Sequence, residues 1–432
     1  MAGSARGLRP TASDLDRTAG APDPGTPPRT GQRGLDWFNF FVADIQTGFG
    51  PFLSVYLTTQ KWTQVDIGLV LSIGSIAGLL AQVPGGWVVD LARSKLRAAG
   101  LAVIAIGLSA LLIALAPTFV TLVAAKLLHV GASSVLGPAI AAITLGLVGH
   151  AAVAARLGRN ARFSAIGNGL AAAVMGACGY FISPQAVFLV TAALAIPAQL
   201  ALNSIPEAAI DPVRADGGNG TKTEEGRHVG HVGISSLLRK QGLLVFTLCI
   251  LLFHLANAAM LPLVGSDVTM RSSRWATALV AACIIAPQLV VAAISPKVGE
   301  LAQDWGRRPL LLIGFGVLPL RGALLAWTSD PYMIVAVQAL DGLSGAVLGV
   351  LVPLTLADVS RGTGRFNLAQ GIVGCATGVG ASLSTIGAGV LADKLGTSIA
   401  FAGLAAVAVL AFAAVALLMP ETRSVPRQDG KV

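Results

Sequence analysis

Six ionisable side chains stand inside otherwise apolar stretches of this 432-residue chain: Asp44, Lys126, His129, His254, Arg321 and Asp341. A charge in hydrocarbon costs at least about 2.5–3.5 kcal/mol on insertion scales, so each needs a partner, a watered cavity or a task such as holding a proton or polar solute. Spacing narrows the choice. Lys126 and His129, His254 and Asn257, and Gln338 and Asp341 are each three apart, which sets each pair on one helix face. Asp44 is followed by Gln46, about 200° around a helix from it. It is also followed by Gly48-Phe49-Gly50-Pro51, a broken-helix sequence that Asp44 with Gln46 could hydrate, or beside which they could bind cargo. Arg321, in Leu318-Pro319-Leu320-Arg321-Gly322, is expected to pair structurally with a buried acid or with carbonyls beside a proline kink.

Other chemistry lacks its residues. There is no His-Glu-x-x-His, no Gly-x-Ser-x-Gly and no phosphate-binding loop, so a lipid hydrolase, an intramembrane protease or an ATPase has no motif to act through. The chain is expected to be no enzyme and to need no cofactor. Cys178, Cys249, Cys283 and Cys375 all lie in apolar stretches, where cysteine behaves as a small apolar residue and builds neither a disulfide frame nor a zinc site. His228-Val229-Gly230-His231 has metal-compatible spacing, but its glycine-rich setting argues against a specific site, and no metal is expected. The net charge of +9 comes without a Lys/Arg run interleaved with aromatics, so no nucleic-acid partner follows.

The elements that must position these residues are set by lipid. With 54% apolar residues, 12% charged residues and 51 glycines, and a mean hydropathy of +0.74, the chain has too little polar surface for soluble domains. Residues 1–34 read as a disordered tail. Apolar spans follow at 35–59, 64–91, 98–116, 119–148, 163–182 and 186–205; a polar linker covers 206–241. Six more spans come at 243–264, 276–296, 309–327, 332–357, 367–389 and 398–419, before a short basic tail over 420–432. The expectation is an all-α membrane protein of twelve transmembrane helices in two six-helix bundles, 35–205 and 242–419. The halves repeat: Pro51 pairs with Pro262, Pro84 with Pro296, and Val135-Leu136-Gly137 with Val347-Leu348-Gly349, at offsets of 211–212, while Arg162-Phe163 pairs with Arg365-Phe366 at 203. That drop implies a loop after span ten about nine residues shorter than the loop after span four.

Of the 30 Lys and Arg residues, 24 fall in the tails, the linker and the loops on the same side, and four fall in the opposite loops. By the positive-inside rule both termini are cytoplasmic.

Six plus six spans, a long linker, and short basic loops after spans two and eight resemble the major facilitator superfamily of secondary transporters, over nearly the whole chain after residue 34. Its signature loop runs Gly, three residues, Asp, basic, any, Gly and two basic residues. Gly86-Trp87-Val88-Val89-Asp90 fits the start and Lys95 the end, with Leu91 at the first basic position and Arg93 at the glycine position. The second copy keeps Gly306, Arg307 and Arg308 without the aspartate. The resemblance implies an acid–base gate at Asp90 with Arg93 and Lys95, and a central cavity lined by spans one, four, seven and ten, which carry five of the six buried ionisable groups. The 212 offset maps Lys126 onto Gln338 and His129 onto Asp341, and the 211 offset maps Asn257 onto Gln46, so the pairs would meet at a midplane site. The segments 156–163 and 361–367 are similar to loop signatures of a bacterial subgroup regarded as small-molecule exporters. Span five lacks the Gly-Pro pair of the proton-driven drug antiporters.

These features together predict a bacterial inner-membrane monomer that exports a small organic molecule by alternating access, with protons as the coupled partner and Asp341 as their carrier. Uptake or facilitated passage of an organic anion, suited to Lys126, His129 and His254, is the alternative.

Overall fold

A computed structural model describes residues 29–47, 51–218, 237, 239–271 and 276–423. The expectations for the extreme tails and for His228 and His231 lie outside these residues. Every regular element among the described residues is helical. Span one comprises Arg29–Thr47 and Pro51–Thr59, span two Gln64–Leu91, span three Lys95–Leu115 and span six Pro184–Asn203; spans four and five lie within Phe119–Phe181. In the second half, span seven comprises Gln241–Asn257 and Met260–Arg271. Spans eight to twelve are Ala276–Asp304, Arg308–Trp327, Pro331–Val359, Phe366–Leu395 and Thr397–Leu418. Ten of these helices are long and apolar enough to cross a membrane. One of the ten, Phe119–Phe181, has 63 residues, about 95 Å at 1.5 Å per residue and so enough for two crossings.

The helix starts are written locally. Thr63 accepts from the Asp66 N–H, Ser94 from Arg97 and Asp330 from Met333 with Pro331 following; each side chain satisfies an amide that the first turn leaves free. Span seven breaks after Asn257, and Ser384 of span eleven accepts the Ala259 N–H released there at 3.1 Å.

Spans four and five depart from expectation. The sequence reading puts a loop over 149–162, whereas the helix continues through that stretch and breaks only at Gly149, with φ +68° and ψ 176°. A positive φ with extended ψ suits glycine alone, and one residue turns the chain back. The Ala- and Leu-rich run after it is a good helix former, so Arg156, Arg159 and Arg162 are helical residues.

The two halves meet at two crossings built to one pattern. A Cβ added at Gly86 of span two would overlap the Asn367 carbonyl oxygen of span eleven, and one at Gly371 would overlap that of Gln82. On the other side, a Cβ at Gly299 of span eight would overlap the Ala154 oxygen of span five, and one at Gly158 that of Ser295. Every member is 213 residues from its counterpart: Gly86 and Gly299, Gly158 and Gly371, Gln82 and Ser295, Ala154 and Asn367. The repeat therefore continues through spans five and eleven without a nine-residue deletion. The Arg162-Phe163 and Arg365-Phe366 pairing is displaced from the structural equivalence.

Candidate functional site

Asp90 sits at the end of span two, 3% exposed. Its carboxylate accepts hydrogen bonds from the Asn367 N–H (3.1 Å), the Asn367 side-chain amide (2.9 Å) and the Leu368 N–H (3.0 Å) at the start of span eleven. The expected acid–base pairing within its own loop is replaced by an anion capping a helix of the opposite half. Arg93 is exposed. Lys95, the first residue of span three, is buried and closes the end of span two, donating to the Val89 and Ala92 carbonyls at 2.6 and 3.0 Å, and pairs with Asp216 of the linker at 2.7 Å. The backbone of Asp216 accepts from the Phe366 N–H at 3.4 Å, and that of Gly217 from the Gly362 N–H at 2.7 Å. The linker thus ties the loop after span two to the start of span eleven.

In the second copy of the loop, Gly306 adopts φ +92°, a left-handed turn that lets Glu421 reach the start of span nine. Glu421 accepts from the Arg307 and Arg308 N–H groups at 2.9 and 3.0 Å. Partial burial alone would raise the pKa of this carboxyl, but the backbone donors of Arg307, Arg423 and Arg308 and the Arg307 charge outweigh it and hold the carboxyl below its usual range. The Arg307 guanidinium pairs with Asp358 at 2.8 Å.

Deeper in the second half, Arg321 gathers three of the predicted path residues. It is 1% exposed and donates to Gln338 at 2.9 and 2.7 Å, to Asp341 at 2.5 Å and to Asn257. The arginine set apart as structural is the hub joining spans seven, nine and ten. The Asp341 side chain keeps 30% exposure, and His254 lies one turn before Asn257 against the ring of Phe253. In the first half, the Lys126 stem lies across Gly74, where a Cβ would collide with it, and His129 is buried. Asp44 is 4% exposed and its Oδ1 finds no partner among the described residues. Gln46 is exposed.

A cavity of about 540 Å³ lies between the halves. Spans one, two, four, five, eight, ten and eleven contribute to its wall; none of Asp44, Gln46, Lys126, His129, His254, Asn257, Gln338 and Asp341 does. Its polar lining consists of the carboxamides of Asn39, Gln82, Asn160, Asn168, Gln288 and Gln370, with the hydroxyls of Ser164 and Thr377. Among the described residues, no charged and no aromatic side chain lines it.

Two halves built on one pattern around a central cavity meet their counterpart among known families. The family description "Major Facilitator Superfamily" matches residues 37–300 and 246–432. The chain belongs to the major facilitator superfamily. Two curated relatives from Mycobacterium tuberculosis strains, each named an uncharacterized MFS-type transporter, are 40% identical over 416 residues, covering 94% of this chain and 98% of theirs. The fold matches a crystal structure of a mutant of the nucleoside transporter NupG (16% identity, TM-score 0.63). It also matches a structure of the human organic anion transporter MFSD10 (15% identity, TM-score 0.66). Each match covers 90% of this chain and all of the other.

Within this major facilitator fold, the sequence reading missed two groups. Asp36, taken as part of an apolar span, is 2% exposed and accepts from Arg156 at 2.6 Å and from Arg159 at 2.7–3.0 Å. Arg156 also donates to Asn160 at 2.9 Å, and Asn160 to Thr144 at 2.8 Å. The i, i+3 spacing of Arg156 and Arg159 was the available signal, hidden by reading that stretch as a loop. The cavity carboxamides carry no charge, so the search for ionisable residues passed over them.

Proposed function

We propose that the protein is a secondary active transporter of the bacterial inner membrane that exports a small organic molecule by alternating access in exchange for protons. The observation that carries this reading is the pair of close crossings at the linker end of the halves, with the amide-lined cavity beyond them. Repeat transporters bind substrate between their halves and expose it alternately by rocking one half against the other. The excess of basic residues on the linker side supports a cytoplasmic linker and termini, so this conformation is the one closed toward the cytoplasm. Asp341 supports proton exchange: its partly exposed carboxylate shares Arg321 with two amides, an arrangement in which rocking of spans seven and ten trades the guanidinium for a proton.

A deletion strain screened against a compound panel at two external pH values tests the direction. Accumulation of a compound in the deletion strain is expected, and depletion would reverse the direction. In proteoliposomes, Asp341→Asn should abolish transport driven by a pH gradient while substrate exchange persists. Normal gradient-driven transport by that variant would pass the proton role to Asp44, the buried carboxyl whose Oδ1 lacks a partner among the described residues. Reporters fused after residue 230 and near residue 272 should read cytoplasm and exterior respectively.

A further inference from the structure

We propose that the central cavity binds an uncharged solute that both donates and accepts hydrogen bonds, held by the carboxamides of Gln82, Asn168, Gln288 and Gln370. This inference rests on the transporter reading and gives the chemical class of the cargo.

The first argument is charge. Among the described residues, no Lys, Arg, His, Asp or Glu side chain lines the cavity, and an ion taken from water into such a site loses its hydration with no opposite charge in return. Arg156 is bonded to the lining residue Asn160; it does not itself line the wall, and Asp36 neutralises it. The cluster's remaining positive charge is on Arg159, whose side chain is 53% exposed and so shared with solvent. A carboxamide offers two N–H donors and an acceptor oxygen in one group, so four of them match a solute carrying hydroxyl, amide or ring-nitrogen functions of both kinds. Among the described residues, Gln82 and Gln288 have no hydrogen-bond partner, and the Gln370 amide reaches Asn367 at 3.5 Å. Their hydrogen-bonding capacity is directed to something other than the fold. The volume of about 540 Å³ falls within the range of about 300–1,000 Å³ usual for small-molecule sites.

The second argument is symmetry. The packing residues at both crossings obey the 213-residue repeat, while the cavity carboxamides do not. The counterparts of Gln82, Asn168, Gln288 and Gln370 are Ser295, Ala381, Ser75 and Leu157. A residue required by the duplicated scaffold should recur in both copies. These four do not recur, and all four converge on one cavity from spans two, five, eight and eleven.

The test uses the purified full-length protein in proteoliposomes loaded with solutes similar in framework but different in charge: glucose with glucuronate and glucosamine, uridine with uridine monophosphate, and cyclic diglycine with zwitterionic diglycine. Release against protein-free liposomes is followed by mass spectrometry. At least one neutral member should leave tenfold faster than its charged partners. Gln82→Leu and Gln288→Leu should each slow that release at least tenfold, and the milder Gln82→Asn should retain part of it, separating lost contacts from lost folding. Release of charged members alone would overturn the substrate class and leave the transporter reading standing. Release of no member would overturn both, and full-rate release by the leucine variants would overturn the role of the carboxamides.

Discussion

Replacing Asp90 by Asn tests whether the linker end is held closed by one anion on one helix start. Asp90 accepts three hydrogen bonds from Asn367 and Leu368, all between 2.9 and 3.1 Å, and is 3% exposed, so solvent screening is slight. The Asn variant keeps one acceptor oxygen and turns an NH2 group toward the other donor. An unsatisfied buried N–H costs about 1–3 kcal/mol, and loss of a negative charge at a helix N-terminus costs about 0.3–2 kcal/mol. Both groups are hydrated once the halves separate, so the loss falls on the closed state: about 2–3 kcal/mol, or roughly a 30- to 150-fold fall in the closed-to-open ratio. Spin labels on cysteines replacing the exposed Arg93 and Arg361, in a background lacking the four native cysteines, report the distance across this end. The variant should show a long-distance population absent or minor in the parent, together with slower turnover at normal abundance. An unchanged distance distribution would refute the latch and leave Asp90 as a local cap.

Three further outcomes follow from the same geometry. Gly86→Val, whose side chain would overlap the Asn367 carbonyl, should insert normally yet populate the same long spin-label distance, whereas Gly387→Ala, at a position with open space, should leave it unchanged. Arg321→Met strands Asp341, Gln338 and Asn257 around a missing cation and should lower stability by about 3–5 kcal/mol in a melting assay; adding Asp341→Asn should recover part of that loss, and an additive double variant would show the pair to be uncoupled. The Glu421 carboxyl is held below its usual range, so its contribution is present above a reference value of about 4.3 and is lost as pH falls through the lower folded-state value. The difference in melting temperature between the parent and Glu421→Gln should therefore shrink below pH 4, and a difference independent of pH would argue that the carboxylate charge plays no part.

Hydropathy and charge pattern made the helical membrane fold legible, because lipid forces long apolar runs and leaves basic residues between them. The break at Gly149 was not legible: a reversal confined to one positive-φ glycine leaves no polar loop to read. Reading 149–162 as a loop then shifted the repeat register and hid Asp36 behind an apparently apolar span. Asp90 was found through its neighbours, but its partners were not, since two of the three donors are main-chain N–H groups that no side-chain pattern records. Arg321 was identified as buried and paired; its role in assembling Asn257, Gln338 and Asp341 needed the packing of spans seven, nine and ten.

The corrected register also accounts for the missing aspartate in the second loop. At the 213 offset, Asp90 corresponds to Gln303. Span eleven begins at Phe366, so the amides of Asn367 and Leu368 lie in its first turn, have no intrahelical acceptor and call for an anion. Their counterparts in span five, Ala154 and Ala155, lie five and six residues beyond the break at Gly149, where helical amides are already bonded within the helix. An aspartate opposite them would be buried with nothing to accept from. Gln303 instead donates to the Ala151 carbonyl at 2.9 Å. One crossing is therefore closed by an anion on a helix start and the other by neutral contacts, while the stronger ionic networks, Asp36 with Arg156, Arg307 with Asp358 and Arg321 with Asp341, each lie within a single half. Rigid-body rocking needs that division: halves stiffened internally by ion pairs, joined across their interface by a few bonds that water can replace when they part.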